Sequence, residues 1–285
     1  MTTLIIGRSV LLVGLAIGLC VVASGAPPAA PDPWTKVPPL PTACYSGQDK
    51  FAEQITAATD SLSTEIDRQT QINDGLSQAL ANLDGAEKAS RMQTFMMSNP
   101  QEAMKILQAT QSAGNAYNET GGPREESRQK LEQDLTGLEA SYGAALDSAR
   151  APFAVKFDDL DKRAKKALVV EGESWVYAPW AKSEYDALTS QANKAYERAC
   201  RDWWPASGAF PAWLKRYREF VQAGIPLTEN LEDAMKAQYT IMGIPSASFR
   251  STVAMNAVLE YMKRASALFE QRRGQPELNY DGGPH

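Results

Sequence analysis

Glu171 and Glu173 flank Gly172, and Trp175, Tyr177 and Trp180 follow within nine residues of Glu171. Paired carboxylates beside flat aromatic faces are what glycoside cleavage asks for: one acid protonates the leaving oxygen, and an aromatic platform holds the sugar ring. On that reading Glu171 or Glu173 is the acid, Trp175 or Trp180 the platform, and a carbohydrate the partner. The competing reading is ordinary. Glutamates around a glycine in a loop face solvent, and aromatics in a small helical unit form its core. The step Trp203-Trp204-Pro205, three residues after Cys200, divides in the same way. It is either a core anchor packed over a disulfide or an exposed patch for carbohydrate, peptide or membrane-interface contact. Trp175, Trp180, Trp203 and Trp204 are thus the candidate binding residues, and no catalytic residue is assigned beyond the weak pair Glu171 and Glu173.

Other chemistry finds little support. The only histidine is the last residue, His285, which leaves no histidine-based zinc site and no histidine base for a nucleophile triad. Asp158, Asp159 and Asp161 lack the alternating ligands, turn glycine and terminal glutamate of a calcium loop. No glycine-rich phosphate loop or dinucleotide fingerprint follows a strand. No metal and no cofactor are therefore expected. The net charge of −5 argues against a nucleic-acid partner, which would select a basic face. The basic run Lys162, Arg163, Lys165 and Lys166 is offset by the aspartates just before it, as on a solvated helix face.

The first residues read as an export signal. Arg8 precedes an apolar run from Val10 to Ala23, and the small residues Ala23, Ser24, Gly25 and Ala26 follow. That run is shorter than the roughly 20 residues a membrane-spanning helix needs, so residues 1–25 are expected to be cleaved, and the membrane is a partner only through an uncleaved leader. A periplasmic or extracellular location follows. Cys20 leaves with the leader, and Cys44 and Cys200 remain as an even pair in an oxidising compartment, expected to form a disulfide. The bulky Leu19 before Cys20 disfavours lipidation. Asn118-Glu119-Thr120 fits a glycosylation acceptor in a loop.

These residues must be positioned by helices, and the fold class is all-α. Residues 26–47 carry Pro27, Pro28, Pro31, Pro33, Pro38, Pro39 and Pro41 and are expected to be extended. Residues 48–171 form a long, coiled-coil-like antiparallel helical arm. Phe51, Ile55, Ala58 and Leu62, then Leu76, Leu80 and Leu83, step by three and four around a polar middle at Gln69 and Thr70. Ser98-Asn99-Pro100 starts another helix. Asn118 to Pro123 breaks the chain, and Pro123 opens a stripe of Leu131, Leu135, Leu138, Tyr142, Ala145, Ala149, Phe153, Phe157, Leu160, Ala164 and Leu168. Pro152 within it predicts a kink or a break. Such a stripe needs cover from the helix near 48–84, from the helix after Pro100, or from another copy.

Residues 172–273 differ in character. From Trp175 to Phe220 there are eleven aromatics in 46 residues, against six in residues 48–170, which suggests a compact Trp-rich helical bundle. Val169-Val170 and Trp175-Val176-Tyr177 are the best strand candidates. Ser183 and Asp186 resemble a capping pair, and Pro211 opens a helix. Gly224-Ile225-Pro226 and Gly243-Ile244-Pro245 both read as helix stops. Residues 274–285 form a mobile polar tail. Long helices with few special residues suit recognition through packing. The expected function is an exported, non-catalytic scaffold or binding protein that meets a protein partner or its own copies, such as a secretion-apparatus or envelope component. A periplasmic holdase and a carbohydrate-acting envelope enzyme are the alternatives.

Overall fold

The computed structural model describes residues 32–41, 48–171, 174–204 and 208–273. The leader with Cys20, the bridge candidate Cys44, Glu173, Pro205 and the tail from 274 lie outside the described residues. Six helices account for nearly all of the rest: α1 Gln48–Ala81, α2 Gly85–Ser98, α3 Pro100–Lys165, α4 Pro179–Arg201, α5 Ala209–Ile241 and α6 Val253–Arg273. Between α3 and α4 lies a two-stranded hairpin, β1 Val169–Glu171 and β2 Ser174–Val176. It pairs Val169 with Val176, Val170 with Trp175 and Glu171 with Ser174, so the β-branched positions form the strands their composition favours. The fold is all-α, and the stretch from Pro33 onward is one compact unit.

Helix α3 is the long element. Its 66 residues extend about 100 Å at roughly 1.5 Å per residue. Pro100 occupies its first turn, where a missing N–H costs nothing. Leu131, Leu135, Tyr142, Leu146, Leu160 and Ala164 are buried along one stripe. Helix α4 runs back along that stripe in antiparallel register. Near the hairpin Arg163 meets Glu184 at 2.8 Å, further in Arg150 lies over the Tyr196 ring, and deepest Tyr142 reaches Cys200. Helix α5 covers the stripe's inner end, where Trp213 Nε1 donates to the Leu131 carbonyl at 2.9 Å. The cover therefore comes from α4 and α5. Helix α1 packs instead on α6, with Phe51 and Phe269 rings 4.6 Å apart.

Several local signals resolve differently from their sequence reading. Pro123 opens no helix, and of the two outcomes expected at Pro152, a kink or a break, the break does not occur, since both prolines lie inside α3. Each frees one carbonyl, on Glu119 and Ser148, and both of those residues are exposed, so water can satisfy the acceptor. Apolar anchors on both sides, Ala103 and Ala113 before Pro123 and Leu131 and Leu135 after it, hold the helix across the interruption. Asn118-Glu119-Thr120 is accordingly helical rather than a loop, with Thr120 Oγ1 donating to the Ala116 carbonyl at 2.7 Å. Helix α4 starts at Pro179 behind Ala178, which leaves Ser183 and Asp186 inside it. The proline-rich stretch is not wholly extended either. Pro33–Lys36 forms a 3-10 turn because Trp34 is buried, edge-on to Tyr261 at 5.6 Å and 4.4 Å from the Arg218 guanidinium.

Two main cores result. The larger joins Phe51, Ile55 and Leu62 of α1 to Tyr142, Trp204, Phe210, Trp213 and Met262. The second, at the far end of α5, gathers Tyr239, Ile241, Met242, Ile244 and Phe249 against Leu76, Leu80, Leu83, Met92, Phe95 and Ile106. Polar side chains stitch the chain around this second core. Gln69, whose polarity interrupts the α1 stripe, is buried and donates to the Ser248 carbonyl at 3.1 Å. Asn73 donates to the Arg250 carbonyl at 3.0 Å.

Candidate functional site

Glu171, Trp175 and Trp180 lie at the far end of α3 and α4. Arm and hairpin share a small core of Leu160, Ala164, Tyr177, Ala181 and Tyr185. Tyr177 Oη donates to Asp161 at 3.1 Å, and Tyr185 lies parallel to Phe157 at 6.3 Å. Glu171 is exposed on β1, and its cross-strand neighbour is Ser174 rather than an acid. Trp180 stands in the first turn of α4, 39% exposed, with the Arg163 guanidinium 5.7 Å from its ring. Trp175 pairs through its backbone with Val170. Beside them Val169 and Val170 are also exposed, Val170 to 62%, as is Val155 further back on α3. The end of the arm thus presents aliphatic and indole surface.

The charges there cancel along the helix. Lys162 pairs with Asp158, Arg163 with Asp159 and Lys165 with Asp161, each four residues apart. Hydrogen bonding to these carboxylates raises the Lys162 and Lys165 ammonium groups above their ordinary range. The compensated, solvated face read from the sequence is what the helix carries.

Trp203 and Trp204 lie elsewhere, at the inner end of α4. Trp204 is 2% exposed, stacked on Phe210 at 4.6 Å and tilted against Phe269 at 4.9 Å. Trp203 is half-buried beside Tyr142 and Phe210. This pair anchors the core over Cys200, which is fully buried with its Sγ 3.5 Å from Tyr142 Oη. The surface alternative does not apply to Trp204, and its distance from Trp180 along α4 separates it from the arm's end.

A group of residues that the sequence gave no reason to select sits where α3, α5 and α6 cross. Arg124 Nη1 donates to the Phe220 carbonyl at 3.2 Å, and its guanidinium lies 4.5 Å from the Phe220 ring centroid. It fills the space beside Gly224, where a Cβ would stand 2.8 Å from Arg124 Cζ. Nearby Tyr217 Oη donates to Glu260 at 2.6 Å, and burial, with that carboxylate, pushes the phenol up to about 12. Arg128 and Gln129 hold the exposed Glu125 carboxyl down to about 2 by hydrogen bonding. Burial, then the neighbouring Asp233 and Glu232, raises Glu229. The only available signal was Gly224, which reads as a helix stop.

Among the described residues no helix is long and apolar enough to cross a membrane. No family model, no curated protein and no solved structure matches the chain.

Proposed function

We propose that this chain is an exported, non-catalytic helical scaffold or binding protein, and that the far end of the α3–α4 arm is the part that meets its protein partner. The observation that carries the reading is that Val169, Val170 and Trp180, and Val155 further back on α3, are each exposed on that outer segment. Exposed aliphatic and indole side chains on a polar, charge-compensated arm are characteristic of protein contact sites. Export is part of the proposal, resting on the pattern from Arg8 to Ala26. So is a bridge between Cys44 and Cys200, supported by Cys200 being fully buried.

A holdase is the second reading, favoured by a different surface. Met96, Met97, Met104 and Leu107 are exposed on α2 and the start of α3. Methionines adapt to many apolar partners, which suits transient capture of unfolded chains. Nothing in the placement of Glu171 favours carbohydrate cleavage over these two.

A photo-crosslinker placed at Val170, and separately at Met97, in cells of the source organism tests both readings. The scaffold reading expects one stoichiometric neighbour from Val170. The holdase expects many unrelated polypeptides from Met97. Adducts from neither position would overturn both. Mass spectrometry of the mature chain checks export, with an N-terminus near Ala26 expected and an intact Met1 contradicting it.

A further inference from the structure

Two adjoining cavities of about 340 and 350 Å³ follow the crossing of α3, α5 and α6, and Arg124, Phe220, Gly224, Thr228 and Glu260 bound both of them. The Arg124 guanidinium stands at their junction, tied to the Phe220 carbonyl and ring. The cavity toward α6 is uneven in chemistry. Val221, Ile225, Val253 and Ala257 give it an apolar wall, and its ionisable side chains are Arg124, Glu232 and Glu260. Two carboxylates and one guanidinium thus border it.

Those carboxylates differ. Glu260 accepts the Tyr217 hydroxyl at 2.6 Å. Glu232 Oε2 is closed off from solvent and has no hydrogen-bond partner, although Lys236 follows one turn later. A buried carboxylate oxygen without a donor keeps its demand for one. Glu232 lines the cavity toward α6, and its broad terminal torsion lets the carboxylate adjust to a donor placed there.

We propose that this cavity binds a primary alkylammonium group, with Glu232 as counter-ion and the aliphatic stem against Val221, Ile225 and Val253. An ammonium brings three donors and no acceptor. One meets Glu232. The others have acceptors on Thr228, whose hydroxyl donates to the Gly224 carbonyl, and on Asn256, whose Nδ2 donates to Thr252 and leaves its oxygen available. An anion would meet two carboxylates, and a neutral alcohol would leave the Glu232 charge unmatched. Arg124 does not compete for the ammonium's place, because its plane is held against Phe220. The helix rise separates Gly224 from Glu232 by about 12 Å along α5, so the two like charges occupy different ends. A free amine and a lysine side chain share this chemistry. The site stands independently of the scaffold reading, which concerns the outer end of the α3–α4 arm.

The test is a titration of the intact protein with 1-aminopentane, followed by NMR of the methyl groups. Saturable shifts at Ile225, Val253 and Ala257 are expected, with no such response to 1-pentanol. Glu232→Gln should weaken binding about tenfold or more, a factor worth one counter-ion. Val253→Phe, which fills the stem's space, should abolish it while far-UV circular dichroism stays unchanged. Tighter binding of 1,5-diaminopentane than of Nα-acetyl-lysine methylamide would support a free amine as the natural occupant. The reverse order would support a lysine side chain. Absence of saturation, shifts confined to other methyls, equal response to the alcohol, or unchanged affinity in Glu232→Gln would each overturn the site.

Discussion

The tripeptide Gly-Ile-Pro occurs twice on the course of α5 and does two different things. At Gly243-Ile244-Pro245 it ends the helix. Gly243 takes φ +64, the only positive φ among the described residues. Its N–H donates to the Thr240 carbonyl and that of Ile244 to the Tyr239 carbonyl, which is the Schellman arrangement. At Gly224-Ile225-Pro226 the helix continues, with Pro226 inside it. Here the glycine serves the neighbouring helix, because its missing side chain makes room for Arg124. The same three residues therefore act as backbone punctuation in one place and as a packing notch in the other. What decides is the company: Val221 and Ile225 pack on the main core on either side of Gly224, whereas past Met242 the chain must turn to bring Phe249 onto the second core.

The isoleucines give the largest expected contrast. Ile244 is 8% exposed inside the second core, while Ile225 only flanks the first. Ile244→Ala should lose about 3 kcal/mol and Ile225→Ala about 1–2 kcal/mol, from the usual cost of deleting buried methyl groups. Urea unfolding of both variants measures the difference. Equal losses would mean that the second tripeptide is no better anchored than the first.

A titration sharpens the comparison on the main-core side. Tyr217, two turns before Gly224, is 3% exposed, and burial with Glu260 raises its hydroxyl from about 10 to about 12. A raised phenol gives stability that is complete below pH 10 and is lost as pH climbs through 12. The amount is roughly 2–3 kcal/mol at about 1.4 kcal/mol per pH unit. Unfolding free energies between pH 9 and 12 should fall more steeply for the wild type than for Tyr217→Phe. Parallel curves would refute the buried hydrogen bond to Glu260.

These contrasts also show what the sequence could and could not reveal. Periodicity alone exposed the stripe from Leu131 to Leu168, because a side chain buried against helices on one side must recur every three or four positions. It could not name α4 and α5 as the cover, since any apolar stripe fits many partners. Prolines 123 and 226 were misleading for a related reason. Local propensity charges a proline in a helix about 3 kcal/mol, and packing on both flanks outweighs that. The strand pair was legible because Val169, Val170 and Val176 are β-branched and closely spaced around a glycine. The cluster around Arg124 was not, because its members come from three helices and no two of them form a motif. Trp34 was hidden among prolines, and only tertiary contact with Tyr261 and Arg218 explains its turn.

The smallest expected effects separate the two glycines most cleanly. At Gly243 an alanine must adopt φ +64, which costs about 1–2 kcal/mol, partly offset by the lower entropy of its unfolded chain. Gly243→Ala should therefore lose about 1 kcal/mol. At Gly224 the backbone is already helical, and alanine gains about 1 kcal/mol in helix propensity. Against that gain stands the displaced Arg124 guanidinium, with its hydrogen bond to the Phe220 carbonyl and its place over the ring, together worth about 1–2 kcal/mol. The net change for Gly224→Ala should lie near zero. The informative measurement is the double-mutant cycle. With Arg124→Ala already present the guanidinium no longer blocks the new methyl group, and Gly224→Ala should then stabilise by about 1 kcal/mol. If it behaves alike in both backgrounds, the glycine is not a notch for Arg124, and its persistence within α5 needs another cause.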